Sequence, residues 1–297
     1  MNIIDKINSS SLKEIKSKLK FRIKNNMIAN SVIRSNPFFY KLSYKVKLGK
    51  SRSYNSNDNI LIIGCAGTIG SALAKQFKTK KANVYGTYFK TKPDPNTIPS
   101  QNCFHLDIRS SQSIYDLYKK LKNKKSYFDL IIVATGDFPN SKNENKFFNN
   151  FDKTSLEKEQ QDILSAININ TIGPYLIFKS LLPFIRESEK GSKYISQFCV
   201  LTSSLGTMHN EIYGGLYSYR VSKGALHSIF LGVYCDVRHF RNIGILMAGP
   251  GSVKSKMNPF GVTSAEKSAK GIIKNLEFSS NKAKYQFLGL KGKRIPW

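Results

Sequence analysis

A short apolar run, Asn59 to Ile63, ends in Gly64-Cys65-Ala66-Gly67-Thr68-Ile69-Gly70, and a helical pattern, Gly70 to Phe77, follows at once. Three glycines at a strand-to-helix junction permit a tight turn and a close approach of the helix to the strand. The chain beyond repeats the same alternation. Strands are expected at Asn83–Tyr88, Cys103–Leu106, Asp129–Ala134, Phe198–Thr202, Ile243–Ala248 and Tyr285–Leu288. Between them, Ser110-Ser111 caps a helix with the apolar stripe Ile114, Leu117, Tyr118 and Leu121. A long helical pattern runs from Ser155 to Arg186 with breaks expected near Gly173-Pro174 and Pro183. Further helices are expected over Tyr217–Phe240 and Ala265–Leu276. Apolar strands alternating with amphipathic helices are the mark of a parallel sheet wrapped on both faces.

The fold class that follows is α/β: a single Rossmann-fold domain over residues 56–297, with a doubly wound parallel seven-stranded sheet, behind a basic N-terminal extension at residues 1–55. Its ligand crevice belongs at the carboxyl ends of the strands. No stretch approaches the ~18 consecutive apolar residues of a membrane helix, which argues against a transmembrane segment. Cys65, Cys103, Cys199 and Cys235 form no Cys-x-x-Cys pair and do not cluster with the four histidines, so reduced thiols and no metal are expected.

The extension differs from the rest. It carries 13 Lys and Arg against Asp5 and Glu14, so +11 of the net +28 sits in residues 1–55 and +17 in the remainder. Leu12, Ile15, Leu19 and Ile23 fall at helical spacing among lysines, giving a basic amphipathic helix. Few acids and many serines suit a transit peptide, and Arg52-Ser53-Tyr54 followed by Asn55-Ser56 is similar to a mitochondrial cleavage site. Mitochondrial import is the expectation, with a disordered basic tail on a cytoplasmic protein as the alternative. Because the positive charge is concentrated in the extension but not confined to it, a solvated basic surface is preferred to a nucleic-acid footprint, and nucleic acid is not the expected partner.

At the first strand-to-helix turn, glycines and unpaired N–H groups at a helix N-terminus fit a dinucleotide pyrophosphate. Gly64, Gly67, Thr68, Ile69 and Gly70 are the candidate contacts. The second strand ends Thr87-Tyr88-Phe89-Lys90-Thr91-Lys92, without the carboxylate that NAD enzymes usually place against the ribose. Lys90 or Lys92 is suited to a 2′-phosphate, which favours NADP(H) and leaves NAD(H) open.

A second constellation begins at Thr202-Ser203-Ser204-Leu205-Gly206 and continues in Tyr217-Ser218-Tyr219-Arg220-Val221-Ser222-Lys223. Tyr219 and Lys223 are four apart and share one helix face. A phenol with pKa near ~10 is a poor base at neutral pH, and a neighbouring ammonium is expected to lower that value. Tyr219 would then protonate a carbonyl oxygen or accept an alcohol proton, with a serine from the adjacent strand end bonding the same oxygen.

Together with Gly249-Pro250-Gly251-Ser252-Val253 and the ending Gly292-Lys293-Arg294-Ile295-Pro296-Trp297, these segments make the chain resemble the short-chain dehydrogenase/reductase family, in its C-factor-like and sniffer-like branch. The resemblance covers roughly Asn59 to Trp297. It implies a catalytic set of Asn170, Ser203, Tyr219 and Lys223, with Ser204 and Thr207 as alternatives to Ser203 because the spacing to Tyr219 is longer than usual. It implies cofactor contacts from Asp107 to the adenine, Ala134, Thr135 and Gly136 along the adenosine, and Pro250, Gly251 and Val253 beside the nicotinamide, with Tyr219 and Lys223 also touching the cofactor. The implied activity is a hydride transfer between NADP(H) and a small-molecule carbonyl or alcohol, and the implied assembly is a homo-oligomer. An NAD(P)-binding regulatory protein with little turnover is the alternative. The loop Lys254–Val262, with Met257, Pro259 and Phe260, reads as an apolar lid.

Overall fold

The computed structural model describes residues 52–138, 152–188, 194–209, 215–239, 241–280 and 285–296. Seven strands form one all-parallel sheet: β1 (Asn59–Ile63), β2 (Asn83–Tyr88), β3 (Cys103–His105), β4 (Leu130–Val133), β5 (Gln197–Leu201), β6 (Gly244–Ala248) and β7 (Tyr285–Leu288). Their order, β3-β2-β1-β4-β5-β6-β7, reverses between β1 and β4. Among the described residues six α-helices intervene: α1 (Thr68–Thr79), α2 (Ser111–Asn123), α3 (Lys153–Ile167), α4 (Gly173–Leu181), α5 (Tyr217–Val237) and α6 (Ala265–Ser279). The central strands are apolar on both faces, as a sheet covered twice requires. Leu61, Ile63, Ile131, Val133, Phe198 and Val200 pack with Ile114, Leu117, Ile177, Leu226 and Phe230. Their alternates Ile60, Ile62, Ile132, Cys199 and Leu246 pack with Leu73, Phe77, Ile272 and Leu276 on the opposite face.

The expected break at Gly173-Pro174 is absent. A π-turn, Asn168–Ile172, joins α3 to α4 without interrupting the helix, and Pro174 falls at the start of α4. The widened turn accommodates the missing N–H of proline, which would disrupt a regular helix interior. The break at Pro183 is real, since the chain leaves α4 through the 3-10 turn Leu182–Phe184.

The packed unit begins before residue 56. Tyr54 is 2% exposed, stacks edge-on against Phe77 and donates to Gln197 Oε1 at 2.8 Å. Arg52 lies beside it, paired with Asp58 and 3.8 Å from Asp129, and its N–H donates to the Glu277 carbonyl. The cleavage-like run at Arg52–Tyr54 is thus part of the structured domain. The basic helix at Leu12–Ile23 lies outside the described residues. Among the described residues no helix is long and apolar enough to cross a membrane.

Truncating Tyr54 removes a full aromatic side chain from this contact. Tyr54→Ala is expected to lower stability by about 3–5 kcal/mol. Tyr127→Ala, at a 52% exposed position, should change it by no more than about 0.5 kcal/mol; urea denaturation of both variants checks the difference.

Candidate active site

The glycine turn and the Tyr219 helix meet the sheet at the carboxyl ends of β1, β4 and β5. At the turn, Gly67 N–H donates to the Gly64 carbonyl at 3.1 Å. A Cβ at Gly70 would stand 2.2 Å from the Gly64 oxygen, so only glycine lets α1 start so close to β1. Helix α1 has no side-chain cap and no acid in its first turn, so its N-terminal N–H groups and positive dipole end remain available to an anion. Opposite, Thr135 Oγ1 is buried with no hydrogen-bond partner among the described residues. A glycine cradle, an uncapped helix and an orphaned hydroxyl fit a dinucleotide. Cys65, within the turn, is fully buried, and burial pushes its thiol up to about 12, which leaves it inert at neutral pH.

The two candidate lysines after β2 separate. Lys92 lines a cavity of about 160 Å³ with Cys65, Ala66, Ser71, Lys75 and Asp94, whereas Lys90 lies 5.8 Å from the centre of the Phe89 ring. Lys75, one turn beyond Ser71 on α1, went unnoticed in the sequence, although their four-residue spacing was the available signal. Asp107 is gripped by Arg109 through Nε at 2.9 Å and Nη2 at 2.8 Å. That side-chain bond holds its carboxyl below the usual range, while the Arg109 guanidinium stands 5.1 Å from the centre of the Phe89 ring.

Asn170 lies in the π-turn and is fully buried. Its Oδ1 accepts the Asp137 N–H at 2.8 Å, and its Nδ2 donates to the Asp137 carbonyl at 2.8 Å and to Ser222 Oγ at 3.0 Å. One side chain thereby ties the segment after β4 to α5. The same segment, Ala134 to Phe138, brings the Phe138 ring to 4.8 Å from that of Tyr219, a contact without a sequence signature.

Helix α5 starts from an unusual entry, with Gly215 and Leu216 both at positive φ. A leucine in that region is strained; the strain sits three residues before Tyr219. The Ser-x-x-Gly spacing also has a structural reason. A Cβ on Gly206 would lie 2.6 Å from the Lys223 carbonyl carbon, so glycine permits α5 to press against the turn after β5. Of the three candidate hydroxyls, Ser203 is the one whose side chain acts on the Tyr219 phenol, opposing the effect of burial on it; Thr207 Oγ1 instead donates to the Ser204 carbonyl at 2.8 Å.

Lys223 is 4% exposed. Its ammonium donates to the Leu201 carbonyl at 3.2 Å and stands 5.6 Å from the Tyr219 ring centre. Burial lowers its pKa to about 8. Burial also pushes the Tyr219 phenol up to about 12. The expected lowering by Lys223 is not found: loss of solvent around the phenol raises it, and the opposing influence is the Ser203 side chain. At neutral pH the pair is a neutral phenol beside a mostly protonated lysine.

Pro250 O accepts from Ser268 Oγ at 2.8 Å, and Gly251 has φ +78°. Val253 pairs with Thr263, which closes the following loop. Within that loop Phe260 and Val262 are 92% and 90% exposed, so neither side chain packs on the domain.

Residues 58–263 match the model of the short chain dehydrogenase family, and the chain belongs to that family of NAD(P)-dependent oxidoreductases acting on CH–OH or C=O groups. It is 26% identical over 244 residues to 1-hydroxy-2-glutathionyl-2-methyl-3-butene dehydrogenase of Rhodococcus sp. (strain AD45), covering 80% of this chain and 99% of the relative. It is also 26% identical over 137 residues to C-signal of Myxococcus xanthus, covering 46% and 79%. Among solved structures, a short-chain dehydrogenase/reductase from Burkholderia multivorans with bound NADP superposes with TM-score 0.68 at 19% identity, over 81% of this chain and 99% of that one. The carbonyl reductase Sniffer of D. melanogaster superposes with TM-score 0.64, at the same identity and coverage.

The buried ammonium yields a test with a definite sign. A lysine moved from 10.5 to about 8 by folding opposes stability by about 3 kcal/mol at pH 7, at ~1.4 kcal/mol per pKa unit. The penalty is complete below pH 8 and fades as pH rises to 10.5, where the unfolded lysine also becomes neutral. Lys223→Met should therefore stabilise the fold by about 2 kcal/mol at pH 7, after about 1 kcal/mol for the Leu201 carbonyl left without its donor. Urea denaturation should show that gain vanish by pH 10.5; equal gains at both pH values would contradict it.

Proposed function

We propose that this chain is an NADP(H)-dependent oxidoreductase that interconverts a carbonyl and an alcohol, with Tyr219 as the general acid/base. The observation that carries the reading is Lys223 seated on the Leu201 carbonyl beside the Tyr219 ring at the end of β5, with Ser203 acting on that phenol, across the sheet end from an uncapped helix suited to a pyrophosphate. The bound nicotinamide supplies the hydride for reduction or accepts it in the reverse direction.

The protein supplies the rest. Ser203 and Tyr219 converge as hydroxyl donors on the substrate oxygen. Because Tyr219 is a neutral phenol at physiological pH, it is ready to give its proton as negative charge develops on that oxygen, which favours reduction. Lys223, still mostly protonated at pH 7, stabilises the phenolate left behind and can return a proton to it. Asn170 holds the Asp137 segment, and through it Phe138, against the Tyr219 ring. At the other end of the crevice, Gly64, Gly67, Thr68, Ile69 and Gly70 hold the pyrophosphate at the start of α1. Ala134, Thr135 and Gly136 flank the adenosine, with Asp107 near the adenine, and Pro250, Gly251 and Val253 border the nicotinamide. Lys92 and Lys75, around the cavity beside Ala66, are placed for a 2′-phosphate, and the NADP complexes among the similar structures support that preference.

The test is binding of NADPH and NADH to the purified full chain, then NADPH oxidation against a panel of carbonyls, with Tyr219→Phe alongside. Tighter binding of NADPH than NADH is expected, with turnover reduced by about 10²–10⁴-fold in the variant and NADPH binding nearly unchanged. Binding without turnover of any carbonyl would favour a regulatory NAD(P)-binding role, and no binding would remove the cofactor assignment.

A further inference from the structure

The stripe of α5 that carries Tyr219 and Lys223 bears one more buried polar side chain a turn further on. His227 is fully buried. Its Nε2 lies 2.9 Å from Thr202 Oγ1, and the ring also hydrogen-bonds the Ser203 main chain. On its other side Nδ1 stands 3.5 Å from Tyr285 Oη, which in turn donates to the His227 carbonyl at 3.4 Å. The Phe287 ring covers it at 4.4 Å between centroids. Burial, with the Lys223 charge adding to it, holds the imidazole down near 4, so it is neutral and has one donor and one acceptor nitrogen.

Three residues at i, i+4 and i+8 of α5 meet three consecutive residues at the end of β5. Lys223 binds the Leu201 carbonyl, His227 binds the Thr202 hydroxyl, and the Ser203 side chain acts on the Tyr219 phenol. The ladder bonds of β5 reach Ser203 only indirectly, through the Thr202 N–H to Ala248. Beyond that point the Ser203 carbonyl accepts from the Gly206 N–H at 3.1 Å, and His227 holds the preceding residue through the Thr202 hydroxyl.

We propose that His227 is a positioning residue: as a neutral imidazole it sets the end of β5 so that the Ser203 hydroxyl meets Tyr219. This rests on the reading of Ser203 and Tyr219 given above. Displacing a hydroxyl by about 1 Å in such a pair can cost ~10²-fold in rate. A histidine serving only to fill the core would tolerate any side chain of similar volume.

The amide nitrogen of glutamine can occupy the place of Nε2, whereas leucine fills the volume without polarity. In the full chain His227→Leu should lower kcat for carbonyl reduction by about 10–100-fold, with the NADPH Kd and the substrate KM within about threefold of wild type. His227→Gln should recover most of the loss, and Thr202→Val should reproduce it from the opposite side without adding to it in the double variant. A readout independent of turnover is the ¹³Cζ resonance of Tyr219, assigned through Tyr219→Phe. His227→Leu should move it in the direction that Ser203→Ala does, and His227→Gln should leave it near wild type. An unmoved resonance in His227→Leu, or a Gln variant as impaired as the Leu variant, would overturn the proposal. If wild type reduces no carbonyl but the resonance behaves as described, the positioning role stands and the proposed reaction falls.

Discussion

Burying a lysine ammonium is costly, and much of the site can be understood as the means by which this fold tolerates Lys223. With 4% of its surface exposed, the side chain rests on the Leu201 carbonyl and beside the Tyr219 ring. For it to reach that carbonyl, α5 must press against the end of β5, and Gly206 is the residue that permits the approach. The same approach brings Tyr219 to Ser203. The buried charge, the glycine and the hydroxyl contact are consequences of one packing constraint.

The electrostatics of that packing give the site a direction. Burial raises the phenol and lowers the ammonium, so both groups are drawn toward their neutral forms. A neutral phenol is a proton donor without further activation, while abstraction of an alcohol proton would first require its ionisation at considerable cost. The cation beside it then matters most after the proton has left, when the phenolate needs a counter-charge.

What the sequence revealed depended on how local each signal was. The strand β1, the glycine turn and the start of α1 are contiguous, and their apolar and glycine pattern was legible directly; so was the four-residue spacing of Tyr219 and Lys223. The choice among Ser203, Ser204 and Thr207 could not be made from spacing, because residues 210–214 and the strained entry at Gly215-Leu216 separate the turn from the helix. Phe138 and His227 are brought to the site by long-range packing. His227 sits eight residues after Tyr219 on the same face, yet a single buried histidine carries no motif. Tyr54 was assigned by composition to a basic tail because its partners, Phe77 and Gln197, are distant in sequence. The rise of the phenol has a related origin: the cation is visible in the sequence, whereas the extent of burial that raises it is not.

The central claim is that a neutral Tyr219, backed by a lysine that titrates near 8, delivers the proton. It is tested most directly by the pH dependence of kcat/KM for carbonyl reduction and for alcohol oxidation on the same enzyme. Reduction should be level from pH 6 to 7 and fall as pH rises through about 8, where Lys223 loses its charge, while oxidation should not share that fall. A reduction rate that climbs with pH over this range would make the phenolate the working form and contradict the account.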